Sequence, residues 1–214
     1  MTELAESLPS RFPVFPLRGA LLLPGGNLPL NIFEPRYLQM VRDAMQTDRV
    51  IGMIQPREEG PAETPALFGT GCAGRITNFE ETEDGRYLIT LTGVCRFDVA
   101  EELEVGTPYR QVVGDFARWR QDLQQPAPPD SLKVALLEAL RRYFERHGIE
   151  TDWAGIDAAP LAGLITSLCM ICPFEPNEKQ ALVEAHDLTR QAKLLIALMQ
   201  MDVLAEGGTS AVRH

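Results

Sequence analysis

The stretch Phe12-Pro-Val-Phe-Pro-Leu-Arg-Gly-Ala-Leu-Leu-Leu-Pro-Gly-Gly-Asn-Leu-Pro-Leu-Asn-Ile-Phe-Glu-Pro-Arg-Tyr37 holds two extended segments, the turn between them and the start of a helix. Val14, Phe15, Leu17 and the run Leu21-Leu22-Leu23 predict an extended segment over 12–23, closed by the turn signal Pro24-Gly25-Gly26. Leu28 to Phe33 continues as a short strand. Pro35 suits a first helical turn, where its missing N–H costs nothing. Tyr37, Leu38, Val41, Ala44 and Met45 then recur at helical spacing.

Outward from this stretch the same texture persists to about residue 120. Val50 to Ile54 is an apolar run of strand length. Ala73 to Phe79 and Tyr87 to Leu91 flank Glu83-Asp84-Gly85, and Asp-Gly between such runs signals a hairpin. Val94 to Val99 and Tyr109 to Trp119 add two more strands. Many short strands with a single early helix predict a small barrel-like β domain that the helix plugs or covers.

Residues 56–65 read as a surface loop, and Gln124-Gln-Pro-Ala-Pro-Pro-Asp130 as a short stiff linker. The period beyond it is helical. Asp130 or Ser131 caps a helix bearing Leu132, Leu136, Leu137, Leu140, Tyr143 and Phe144, which ends near Gly148. Leu161 to Ile171 forms a second, stopped by Pro173, and Pro176 starts a third. Asp187 caps the last, with Leu188, Ala192, Leu195 and Met199 on one stripe. The expected class is α+β: a β domain over 10–120 with one early helix, a linker over 121–129, a bundle of about four helices over 130–206, and a flexible tail over 207–214.

The 214 residues are 45% apolar and carry a formal charge of −10, enough to bury a core and the wrong sign for a phosphate-binding surface. Only Lys133, Lys179 and Lys193 are lysines. Nucleic acid is therefore not an expected partner. No run approaches the roughly 18 apolar residues of a membrane span, and Met1 to Pro9 lacks a signal-peptide pattern, so the expected setting is the cytoplasm without membrane contact. Cys72, Cys95, Cys169 and Cys172 are too few for a disulfide scaffold and are expected as reduced core residues.

Motifs that carry chemistry are weak. Gly69-Thr-Gly-Cys-Ala-Gly74 matches G-x-G-x-x-G, but Arg75-Ile-Thr-Asn-Phe79 follows it, a strand where a helix N-terminus is needed to face a pyrophosphate. Close packing at a β strand is the better reading of those glycines. Cys169-Met-Ile-Cys172 ends an apolar helix and has no second ligand pair for zinc. His147, His186 and His214 form no metal-binding pair, the serines lack a G-x-S-x-G elbow, and no phosphate-cradling P-loop occurs. Neither a catalytic residue, a metal nor a cofactor is assigned.

The opening stretch also resembles the start of the Lon protease N-terminal (LON substrate-binding) domain family. So do Leu67-Phe-Gly-Thr-Gly-Cys-Ala-Gly-Arg-Ile76, Asp84-Gly-Arg-Tyr87 and Leu91-Thr-Gly-Val-Cys-Arg-Phe97. Pro176-Asn-Glu-Lys-Gln-Ala-Leu-Val-Glu184 looks like the helical extension of stand-alone members, and Phe33-Glu-Pro-Arg-Tyr37 is the most specific piece. The resemblance implies a PUA-like β-barrel followed by a helical bundle, in a member lacking the ATPase and protease domains of the full protease. It also implies a non-enzymatic module that recognises unfolded or tagged polypeptides, as an adaptor or quality-control factor within a protease system. The alternatives are a PUA-like RNA-binding protein, against which the charge argues, and a small-molecule binder using a groove between barrel and bundle. An apolar strip in that groove is the expected polypeptide site. Glu34 to Tyr37 reads equally as a strand-to-helix corner, with Arg36 free to pair with Glu34 or a loop carboxylate. Phe33, Arg36 and Tyr37 are the candidate polypeptide contacts.

Overall fold

Branched and aromatic side chains suit a pleated, half-buried surface and draw the N-terminal half into strands. The computed structural model describes residues 8–57, 65–124 and 127–205. Its strands are β1 (Arg11–Pro16), β2 (Asn27–Ile32), β3 (Val50–Ile54), β4 (Thr70–Glu81), β5 (Tyr87–Leu103) and β6 (Gln111–Asp115), with helix α1 (Pro35–Met45) between β2 and β3. β1 runs parallel to β3 and antiparallel to β6; β3 pairs antiparallel with β4, and β4 with β5. The end of β5, Asp98 to Leu103, pairs in turn with β6. The ladder thus returns to its starting strand, so that β1, β3, β4, β5 and β6 each have partners on both sides. β2 stands outside this ring, joined to the first part of β5 from Asn27 opposite Thr92 to Ile32 opposite Tyr87.

Four expected strands differ. The segment 12–23 is a strand only to Pro16. Beyond it Leu21 and Leu23 enter the helical core while Leu22 enters the β core, so three successive leucines stitch the two together. A strand's alternation would serve one core; here the two sides of the segment face different ones. The separate strands expected at 87–91 and 94–99 are one 17-residue strand. Its register with β4 shifts beside Gly93, where the Leu23 segment crosses so closely that a methyl group would lie 2.0 Å from the Leu23 carbonyl oxygen. The strand expected over 109–119 is β6 followed by a 3-10 turn over Ala117–Leu123, which turns Trp119 fully inward.

The helical half comprises α2 (Ser131–His147), α3 (Trp153–Ala158), α4 (Leu161–Ile171), α5 (Pro176–Glu184) and α6 (Leu188–Ala205). The four longer helices match expectation. The short α3 is additional, and Asp152 caps it by accepting the Ala154 N–H at 3.1 Å. Asp187 caps α6, its Oδ1 accepting the Arg190 N–H at 2.8 Å. Asp130 occupies the N-cap of α2 without a side-chain cap bond, and Gly148 ends that helix at φ 62°. Leu136, Leu140 and Tyr143 of α2 meet Ile165 and Leu168 of α4 and Ala192, Leu195 and Met199 of α6 in one core. Gln121 to Leu123, expected in the linker, belong to the 3-10 turn. The expected tail over 207–214, and residues 58–64 of the expected loop, lie outside the described residues.

Candidate functional site

The Phe33–Tyr37 corner is where β2 hands over to α1. Pro35 opens the helix, and Tyr37, Met40, Val41 and Ala44 form its buried face. Tyr37 is only 7% exposed, with its ring centroid 4.3 Å from that of Phe15. Burial raises the pKa of its hydroxyl. Arg36 pairs with Glu34 at 2.9 Å, as the sequence allowed, and its guanidinium lies 4.5 Å over the Tyr37 ring. Of the three expected contacts, Phe33 is 63% exposed and Arg36 about half exposed, whereas Tyr37 serves the core beneath them. On the other side of α1, Asp43 accepts hydrogen bonds from the Tyr109 hydroxyl at 2.6 Å and Gln39 at 2.7 Å. Burial, followed by the bond to Asp43, pushes the Tyr109 pKa up.

An apolar groove between the β and helical halves was expected; around Arg96 the junction is instead filled and polar. Arg96 of β5 points into it at 3% side-chain exposure, and Asp122 of the 3-10 turn answers at 6%. Asp122 Oδ2 accepts from Arg96 Nε at 2.8 Å and from the Arg96 backbone N–H at 3.0 Å, and Oδ1 accepts from Nη2 at 2.6 Å. The remaining donors reach past the end of α5, to the carbonyls of Val183 (2.9 Å), Ala185 and His186 (3.1 Å). The guanidinium stacks 4.0 Å over Trp119. A second set of bonds lies nearby. Gln55 donates to the Pro176 carbonyl at 3.0 Å and to Gln180 at 3.2 Å, and Gln180 donates to the Thr70 carbonyl at 3.1 Å. Lys179 Nζ donates to the Gly19 carbonyl at 2.7 Å. Between Arg96, Asp122, Thr166 and Gln191 remains a cavity of about 30 Å³, room for a water molecule or two and not for a peptide.

Sequence reading missed this junction. Its signal was Arg96 itself, a cation in the otherwise apolar run Val94-Cys-Arg-Phe97, which a buried strand tolerates only with an acidic partner.

The weak motifs resolve as packing. Methyl groups at Gly71 and Gly74 would strike the Met53 carbonyl at 2.6 Å and the Leu22 side chain at 2.6 Å, so the G-x-G-x-x-G match lies in β4 as close packing. All four cysteines are unpaired and buried. Burial pushes the Cys172 thiol up to about 11 and Cys95 up to about 12, with Cys72 and Cys169 also raised. His147 Nε2 lies 2.7 Å from Asp202 Oδ1, joining α2 to α6, and His186 Nδ1 lies 3.5 Å from Asp187. Among the described residues no three histidine, cysteine, aspartate or glutamate side chains converge to hold a metal, and no helix is long and apolar enough to cross a membrane.

A ring of strands, a helical half locked onto it by buried polar groups, and Phe33 exposed at the β2–α1 corner define a mixed α+β domain. A sequence model of the ATP-dependent protease La (LON) substrate-binding domain matches residues 11–201, and the chain belongs to that family. It is similar to Lon protease 2 of Myxococcus xanthus, 29% identical over 91% of this chain and 24% of that protein. The chain thus spans about a quarter of the length of the curated relatives it matches. Among solved structures, a Lon N-terminal domain protein from Xanthomonas campestris superposes with a TM-score of 0.64 at 23% identity, covering 88% of this chain and 98% of that one. The N-terminal domain of the Mycobacterium avium complex Lon protease gives 0.63 at 14% identity, covering 89% and 98%. Both share the fold.

Proposed function

We propose that this chain is a non-catalytic polypeptide-recognition module that presents unfolded or tagged chains to a protease system, as an adaptor or quality-control factor. Membership of a substrate-binding family is the observation that carries the reading. Two features support it. The buried thiols lie far from the pKa range of a nucleophile, and the sequence contains no P-loop for nucleotide. The reading includes a cytoplasmic setting, in keeping with four unpaired cysteines. It treats the β half, to about residue 120, and the helical half, from about residue 130, as one recognition unit. Phe33 and Arg36 are its proposed contacts, positioned by the buried Tyr37.

The experiment is a titration of fluorescein-labelled α-casein, an unfolded chain, followed by fluorescence anisotropy. Binding is expected at a Kd on the order of tens of micromolar, without cleavage of the casein. Phe33→Ser is expected to weaken it several-fold, since an exposed aromatic contributes about 1–2 kcal/mol when covered. A folded protein that binds no casein at about 200 μM, or that cleaves it, refutes the reading.

A further inference from the structure

We propose, resting on the polypeptide-recognition reading, that a client segment is held as an added strand along the open edge of β2. The closed ring of pairings leaves β2 as the one described strand that is unpaired along the whole of one side. Its phase is fixed where it begins: the Gly93 N–H donates to the Gly26 carbonyl at 2.8 Å, and the register runs on unbroken to Ile32 opposite Tyr87. In an antiparallel pair, alternate residues turn their backbone groups toward the partner. Leu28, Leu30 and Ile32 therefore face β5, while Asn27, Pro29 and Asn31 turn theirs outward. Pro29, which has no N–H, falls where β5 requires none. The outward edge then offers the N–H groups of Asn27 and Asn31 and the carbonyls of Asn27, Pro29 and Asn31.

Exposed edges are ordinarily guarded by charge, because they template pairing with any extended chain. In a chain that is 23% charged, Asn27-Leu-Pro-Leu-Asn-Ile32 carries no charge at all. The single guard is Pro29, whose missing donor shortens the ladder and makes capture weak and reversible. Side chains define the occupant. Leu28 and Leu30 are half-buried and pack against the core that holds Ile32, Tyr37 and Leu91, so the rim of that core lies open along this edge. Asn27, Pro29 and Asn31 are exposed on the other face, and Phe33 stands exposed just past the strand's end. The segment that fits is extended and uncharged, with apolar side chains at alternate positions to cover Leu28 and Leu30. Folded proteins bury such segments and unfolded ones expose them. Recognition through backbone bonds also tolerates many sequences.

The test uses the whole chain and the fluorescein-labelled peptide Gly-Thr-Val-Thr-Val-Thr-Val-Gly. Two further versions are N-methylated, one at the valine amides and one at the threonine amides. Strand addition uses only every second amide of the peptide. The parent is expected to bind at a Kd on the order of 100 μM. One methylated version should lose at least tenfold, and the other should stay within about twofold. Asn31→Pro, which removes an outward N–H that the fold itself does not use, should weaken the parent at least tenfold while thermal unfolding confirms a folded protein. The proposal is overturned if the parent fails to bind at about 1 mM, if both methylated peptides bind alike, or if folded Asn31→Pro binds as the unaltered protein does. Casein separates this failure from that of the broader reading. Casein bound equally by the unaltered and Asn31→Pro proteins removes strand addition and leaves polypeptide recognition standing, whereas no casein binding removes both.

Discussion

Replacing Asp122 with alanine should remove a large share of this protein's stability. The carboxylate takes three of the six hydrogen bonds that Arg96 makes, through Nε, Nη2 and the backbone N–H. Both side chains are almost wholly out of water, at 3% and 6% exposure. Truncation leaves a buried guanidinium facing only the neutral carbonyls of Val183, Ala185 and His186 and the Trp119 ring. Breaking a buried pair on one side costs about 3–5 kcal/mol, against a total of about 5–15 kcal/mol for a typical domain. Removing both charges, as Arg96→Met with Asp122→Leu, should cost less than Asp122→Ala alone, since no ion is left unpaired. It should not be neutral, because the carbonyls of Val183 and Ala185 lose their Arg96 donor, while that of His186 keeps Gln121, and the adjacent cavity of about 30 Å³ admits only a water or two in its place.

Urea unfolding followed by tryptophan fluorescence measures these costs, and the chain supplies its own reporters. Trp119 stacks on Arg96 in the junction, and Trp153 packs against the helical core. In the unaltered protein the two single-tryptophan forms should report one coincident transition. In Asp122→Ala, whose junction is weakened, the Trp119 signal should change at lower urea than that of Trp153. A loss below about 1 kcal/mol would mean that water solvates the carboxylate, and the account of the junction as a buried ionic lock would be wrong.

Three other outcomes follow from local geometry. With the Cys172 thiol held up at about 11 and Cys95 at about 12, at most about one thiol in a thousand is ionised at pH 8; iodoacetamide should spare all four cysteines of the native protein and label all four in denaturant, as counted by mass spectrometry. The Arg190 backbone N–H lowers the pKa of Asp187, so its capping contribution is full above the ordinary aspartate value of about 3.9 and fades as pH falls through the lower folded value. Asp187→Ala should thus cost about 0.5–1 kcal/mol near neutral pH and progressively less in acid, as read by urea unfolding across pH. Arg49 sits at φ 58°, where an L side chain is strained, so Arg49→Gly should stabilise by about 0.5 kcal/mol after glycine's greater unfolded-state entropy is subtracted; a loss of stability would show that the Arg49 side chain matters more than its backbone.

Local signals carried much of the architecture. The Asp84-Gly85 turn, the Pro35 and Pro176 helix starts, the Asp187 cap and the Gly148 stop all depend on neighbours within a few residues, and each stands where the sequence places it. The packing of the Phe33–Tyr37 corner was legible in part. Phe33 is exposed and Arg36 meets Glu34, but the burial of Tyr37 in α1 depends on Phe15 of β1, more than 20 residues earlier. Nothing local distinguishes a helical tyrosine that packs inward from one that meets a ligand.

Taken alone, the amino-acid order determined the α+β class, the change from strands to helices near residue 130, and the packing role of the cysteines, because periodicity and turn chemistry act over short spans. Tertiary structure decided where the two halves meet. Arg96 finds Asp122 across 26 residues and the α5 carbonyls across nearly 90. Leu21, Leu22 and Leu23 divide between two cores, and β5 passes unbroken beneath them because only a glycine fits at position 93. Such choices arise from close packing and from the need to pair buried charge, and neither is settled until distant segments share a space.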